Sequence, residues 1–133
     1  MTQQTKNLAL ALDFYRSIDA MDVDRATKLA SPRCTSIMGG KSLDFPSWMA
    51  VGRMFMTAFP DGRHAFDLSE AVGDYILSHG TFSGTHTQAF QGIPATGKTI
   101  KISLTMIDKI VDGKLVAHYG DFDSAGLMQQ LTT

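Results

Sequence analysis

His118 and Asp121 are the side chains of this sequence best suited to moving a proton near neutral pH. An imidazole titrates close to working pH, and a carboxylate is the other common acid/base group. Both lie in residues 115–123, which read as a strand. Neighbours alternate faces along a strand, so His118 shares a face with Gly120 and Asp121 takes the other. A bulge at Gly120 would turn Asp121 inward, because a glycine within a strand often marks one. Without the bulge, Asp121 is a solvated or interface carboxylate. The other histidines give less. His79 is expected on the outer face of a sheet, and His86 to fix a bend at a strand end. His64 begins a strand beside a turn and is expected to be exposed. Asp123 precedes Ser124-Ala125-Gly126-Leu127, where a carboxylate can cap a terminal helix.

Several chemistries are set aside. One cysteine, Cys34, allows no internal disulfide, and with scattered histidines it offers no recognisable zinc motif. The segment 92–98 ends in Gly97-Lys98-Thr99, but strand residues follow, where a phosphate-binding loop needs a helix. Twelve basic and thirteen acidic residues are mixed along the chain for a net charge of −1, which argues against a nucleic-acid partner. Apolar runs fall far short of a membrane span, and the polar residues 1–7 do not resemble a signal peptide; cytoplasmic is the default location.

The elements that must position these groups are legible from patterning. At 133 residues, a single domain covering 1–133 is expected. Residues 6–19 read as a helix with Leu8, Leu12 and Tyr15 on one stripe. Asp22 can cap a second helix over 23–29, stopped by Pro32. Residues 34–38 read as a short strand. Pro46 suits the first turn of a third helix to about Phe59, apolar on nearly all sides through Trp48, Met49, Met54, Phe55 and Met56. After Pro60-Asp61-Gly62 everything reads as strands. Residues 64–71 place Phe66, Leu68 and Glu70 on one face, and Gly73-Asp74 turns into 75–84. Residues 99–111 place Ile100, Ile102, Leu104 and Met106 on one face, and Asp112-Gly113 is a hairpin turn into 115–123. The fold class is therefore α+β: a curled antiparallel sheet around three N-terminal helices, cone-shaped, enclosing an apolar cavity. One or two helical turns close the chain over 124–131.

Four motifs now stand in order: Gly84-Thr85-His86-Thr87, the 92–98 segment Gly-Ile-Pro-Ala-Thr-Gly-Lys, Asp112-Gly113-Lys114, and the 123–131 segment from Asp123 to Leu131. Together they resemble the SnoaL-like polyketide cyclase and ester cyclase family, well over residues 60–131 and in outline before that. The resemblance implies the cone-shaped fold of nuclear transport factor 2, a homodimer or higher homo-oligomer, and ring closure by intramolecular aldol condensation without metal or organic cofactor. It also implies an acid/base aspartate on the last strand and a histidine on the strand before it. Here those positions hold Gly120 and Met106, and neither side chain can serve as a base near neutral pH.

The expectation is an enzyme that acts on an apolar, oxygenated small molecule by proton abstraction, cyclisation or isomerisation. His118 is the expected acid/base, with Asp121 as partner or replacement base if the strand bulges. Tyr15, Trp48, Phe55, Phe59, Leu104, Met106 and Gly120 are expected to shape the ligand-binding wall. The alternative is a non-catalytic binding protein for the same kind of ligand. A third possibility is an interaction protein that uses Tyr119, Ile107 and Phe122 as an outer apolar face.

Overall fold

A computed structural model describes residues 2–133. The element order is α1 (Gln3–Asp19), α2 (Val23–Leu29), β1 (Ala30–Met38), β2 (Lys41–Asp44), α3 (Phe45–Ala58), β3 (Arg63–Val72), β4 (Tyr75–Thr85), β5 (Thr99–Val111), β6 (Lys114–Phe122) and α4 (Ser124–Thr132). The class is α+β as expected. Among the described residues no helix is long and apolar enough to cross a membrane.

Local chemistry explains most boundaries. The side chains of Asp22, Asp44 and Asp123 each accept a hydrogen bond from the backbone N–H three residues on, capping α2, α3 and α4. Pro46 lies in the first turn of α3, where its missing N–H costs nothing. Asp112 and Gly113 both have positive φ (51° and 73°), the backbone that a two-residue hairpin between β5 and β6 requires.

The six strands form one sheet in the order β2-β1-β6-β5-β4-β3. Three features differ from the sequence expectation. The sheet is mixed, because β1 runs parallel to β6 while the other pairs are antiparallel. It is curled but not a closed barrel, since β2 and β3 remain edges. The strand β2 and the residues of β1 before Cys34, including Pro32, carry no clear alternation in sequence; β2 is held by pairing with residues 35–38 of β1, and the start of β1 by the pairing of Ala30 with Leu115 of β6.

Side-chain facing also departs in places. On α1 the deepest residue is Phe14, fully buried, and Leu12 is 38% exposed, so the buried stripe is rotated from the one its leucines suggest. On β3 a register shift between Phe66 and Leu68 leaves Phe66 packed against the core and Leu68 exposed. Phe122 shares the inner face with His118 and Gly120 and packs on the core, so it is not part of the outer face with Tyr119.

Gly80 lies opposite Phe66 beside that shift. A Cβ on Gly80 would stand 2.0 Å from the Ala65 carbonyl oxygen, a backbone atom that cannot move aside without breaking the ladder. Gly80→Ala is expected to lower unfolding stability by about 2 kcal/mol or more, read from the urea midpoint. An unchanged midpoint would mean that β3 shifts freely at this point.

Candidate active site

Alternation on β5 buries Ile100, Ile102, Leu104 and Met106, and continues to Asp108 and Ile110. The inner faces of β5 and β6, roofed by α1 and α3, enclose a cavity of about 80 Å³. Its walls are mostly carbon and sulfur: Phe14, Ile18, Met38, Met49, Phe55 and Met56 among others. Three polar side chains reach it, Tyr15, His64 and His118.

His118 faces the cavity, as alternation requires, and is almost completely buried. Its ring stacks on Trp48, with centroids 4.1 Å apart and planes 20° apart. Nδ1 is 2.7 Å from Ser36 Oγ, and Nε2 is 3.2 Å from Met106 Sδ. A thioether sulfur has no proton to give, so Nε2 carries the hydrogen and Nδ1 accepts from the Ser36 hydroxyl. Burial, and next the neighbouring His64, pushes the imidazolium down to about 3 from 6.5. His118 is therefore a neutral hydrogen-bond donor at working pH, and a poor base.

Gly120 lies beneath this ring. A Cβ there would meet His118 Cε1 at 2.6 Å and Met106 Sδ at 3.1 Å. The imidazole thus fills the volume that a side chain at 120 would need, and Gly120 supports the wall from behind without lining it. No bulge occurs at Gly120. The pairs Met106↔Gly120 and Thr105↔Asp121 are in regular register, and the shift in this ladder falls between Lys109 and Ile110. Asp121 is therefore exposed on the outer face, and the expectation that it partners His118 is corrected. Phe59 is also corrected: it is fully buried, but against Phe55, Phe82, His86 and Phe90, away from the cavity. Tyr15, Trp48, Phe55, Leu104 and Met106 do line the cavity.

Sequence reasoning missed two polar pairs. Tyr15 donates a hydrogen bond of 2.7 Å to Asp108 Oδ2. Burial pushes the Asp108 carboxyl up to about 7, with the Tyr15 hydroxyl pulling the other way. The Tyr15 phenol is raised in turn, by burial first and then by Asp108. The Cys34 thiol is pushed up to about 12, again chiefly by burial, so it is a packing group and not a nucleophile. Asp108 carries the inner-face period of β5 one step beyond Met106, and that period was the signal that could have found it. The second pair joins His64 to Asp19. His64 Nδ1 is 2.6 Å from Asp19 Oδ1, and its backbone N–H donates to Asp19 Oδ2 at 2.8 Å. The His64 side chain is only 13% exposed, which corrects the expectation of an exposed residue. The other two histidines behave as expected. His79 is on the outer face against Asp67, and His86 holds the loop through Thr96.

Among the described residues no cluster of three or more His, Cys, Asp or Glu side chains is placed to hold a metal ion. The profile of the SnoaL-like polyketide cyclase family matches residues 9–131. No curated protein matches the chain. Among solved structures, AclR from Streptomyces galilaeus, a proposed hydroxylase, is 22% identical with a TM-score of 0.90, covering 97% of each chain. IdmH from Streptomyces antibioticus, a proposed polyketide cyclase, is 20% identical with a TM-score of 0.87, covering 96% of this chain and 99% of its own. A proposed polyketide cyclase from Acidithiobacillus ferrooxidans is 25% identical with a TM-score of 0.85, covering 98% and 97%.

The two buried ionisable groups on β5 and β6 have opposite linkage to folding. Asp108 holds its proton more tightly folded than unfolded, so its contribution is complete below about 4 and is lost as pH rises through about 7. His118 resists its proton when folded, so its contribution is complete above about 6.5 and is lost as pH falls towards about 3. In Asp108→Asn only the second slope remains. Stability of that variant relative to the parent should rise with pH, by up to about 1.4 kcal/mol per unit between roughly pH 4 and 7. Urea unfolding at several pH values measures this, and a flat difference would remove the Asp108 proton from the account.

Proposed function

The chain belongs to the SnoaL-like polyketide cyclase family, and from that premise we propose that it catalyses a cyclisation or isomerisation of an apolar, oxygenated small molecule by acid/base chemistry of its own side chains. The observation that carries this reading is the Nε2–H of neutral His118, held only by a thioether at the wall of an apolar cavity. Sulfur is a weak acceptor, so a substrate carbonyl oxygen can take its place at little cost. A neutral donor of this kind stabilises an enolate oxygen as charge develops there, and the surrounding carbon and sulfur strengthen the interaction by excluding water. His118 is thus proposed as the oxygen-binding group rather than the base. Tyr15, whose hydroxyl is committed to Asp108, contributes the face of its ring to the wall.

The size of the cavity constrains the substrate. A pocket for a drug-sized molecule needs roughly 300 Å³ or more. The cavity here is far smaller, so a polyketide-sized substrate requires the wall to open. Met49 and Met56 of α3 border it, and unbranched thioethers repack more readily than branched side chains.

The family's acid/base positions hold Gly120 and Met106, which favours a second reading, a binding module for the same ligands. Exchange of the α-protons of cyclohexanone in deuterium oxide, followed by proton NMR, separates the two. Acceleration above buffer by the purified chain is expected, with a loss of about 100-fold in His118→Phe while ketone binding persists. Saturable ketone binding without any acceleration would leave the binding module standing.

A further inference from the structure

The reading above supplies an oxygen-binding group but no base. We propose that Asp19 and His64 form a proton-transfer dyad, with His64 Nε2 as the base that takes the α-proton of a bound ketone. The inference rests on the acid/base reading of the cavity.

The geometry carries it. One carboxylate holds His64 twice, once at ring Nδ1 and once at the backbone N–H, so ring position and tautomer are both set. A carboxylate on Nδ1 requires the hydrogen there and leaves the Nε2 lone pair free. Nε2 has no hydrogen-bond partner among the described residues. The ring lies against the rings of Phe82 and Tyr15, at 5.2 and 5.3 Å, and borders the cavity that His118 also borders. On its other side it meets an open groove of about 450 Å³, shared with Asp19, Arg16 and Arg63. His64 therefore stands between the apolar cavity and a more polar groove, which is where a base that must exchange its proton belongs. His118 is unsuited to the same task, because its Nε2 carries the hydrogen and its Nδ1 lone pair accepts from Ser36.

The step balances. The Nε2 lone pair takes the α-proton, and the C–H electrons become the enolate double bond while the carbonyl oxygen gains charge against His118 Nε2–H. In a ring closure the enolate carbon then attacks a second carbonyl carbon, forming the C–C bond, and the alkoxide takes the proton back from the imidazolium. Asp19 touches no substrate. It is a positioning residue that also stabilises the imidazolium while it exists.

The test uses the full chain and cyclohexanone exchange in deuterium oxide. His64→Gln should slow exchange by about 100-fold or more with little change in KM. Asp19→Asn should lower kcat, and Asp19→Glu should restore part of it. His79→Gln is the control, since His79 with Asp67 is the same kind of pair on the exposed outer face. It should exchange at the parental rate. A spectroscopic arm needs no turnover: ring ¹⁵N shifts of His64 should report hydrogen on Nδ1 in the parent and lose that preference in Asp19→Asn. Parental exchange that survives in His64→Gln would overturn the dyad and leave the acid/base reading intact. Parental exchange no faster than buffer would overturn both. A His64 with its hydrogen on Nε2 would overturn the dyad alone.

Discussion

The hydrogen bond from Tyr15 to Asp108 is the interaction on which the arrangement of this molecule depends. It joins the first helix to the C-terminal part of the fifth strand across 93 residues of chain, and it is buried. Burial raises this carboxyl to about 7, and the bond from Tyr15 satisfies Oδ2 while the buried Oδ1 has no partner among the described residues. The bond seats α1 over the inner face of the sheet. Phe14 is thereby turned into the core, the Tyr15 ring becomes a cavity wall, and Asp19 at the helix end comes within reach of His64 on β3.

The same seat separates the surroundings of the two cavity histidines. His118 lies opposite Asp108 in the β5–β6 ladder and is walled in by Trp48, Ser36 and Met106. Burial keeps it neutral, with its Nε2–H directed at the Met106 sulfur. His64, at the cavity's edge, keeps a carboxylate partner and a free nitrogen. In the proposed reaction the first meets the developing negative oxygen and the second carries the proton. The cavity that both border is lined mostly by carbon and sulfur.

The departure at Gly120 and Met106 acquires a physical meaning from the packing. The His118 ring occupies the volume above Gly120, and any larger residue there would collide with it. Met106 then meets the ring edge with sulfur instead of a second hydrogen-bonding group. The chain thus places an imidazole on the last strand, two residues before the position where the resemblance leads one to expect a carboxylate. In the proposed reaction that wall supplies hydrogen-bond donation in place of proton abstraction.

Local and periodic features were determined by the sequence alone. Alternation over Thr99–Val111, the Asp112-Gly113 hairpin, the aspartate caps and the four ordered motifs specified the strand run, the family and the inward face of His118. Each depends on residues near one another in the chain, so each leaves a pattern. The tertiary structure alone decided the parallel docking of β1 on β6, the buried partnership of Tyr15 with Asp108, and the meeting of Asp19 with His64. These contacts span 45 to 93 residues or join an irregular strand to its neighbour. Long-range partners leave no period in a single sequence, because what selects them is the closing of one shared core.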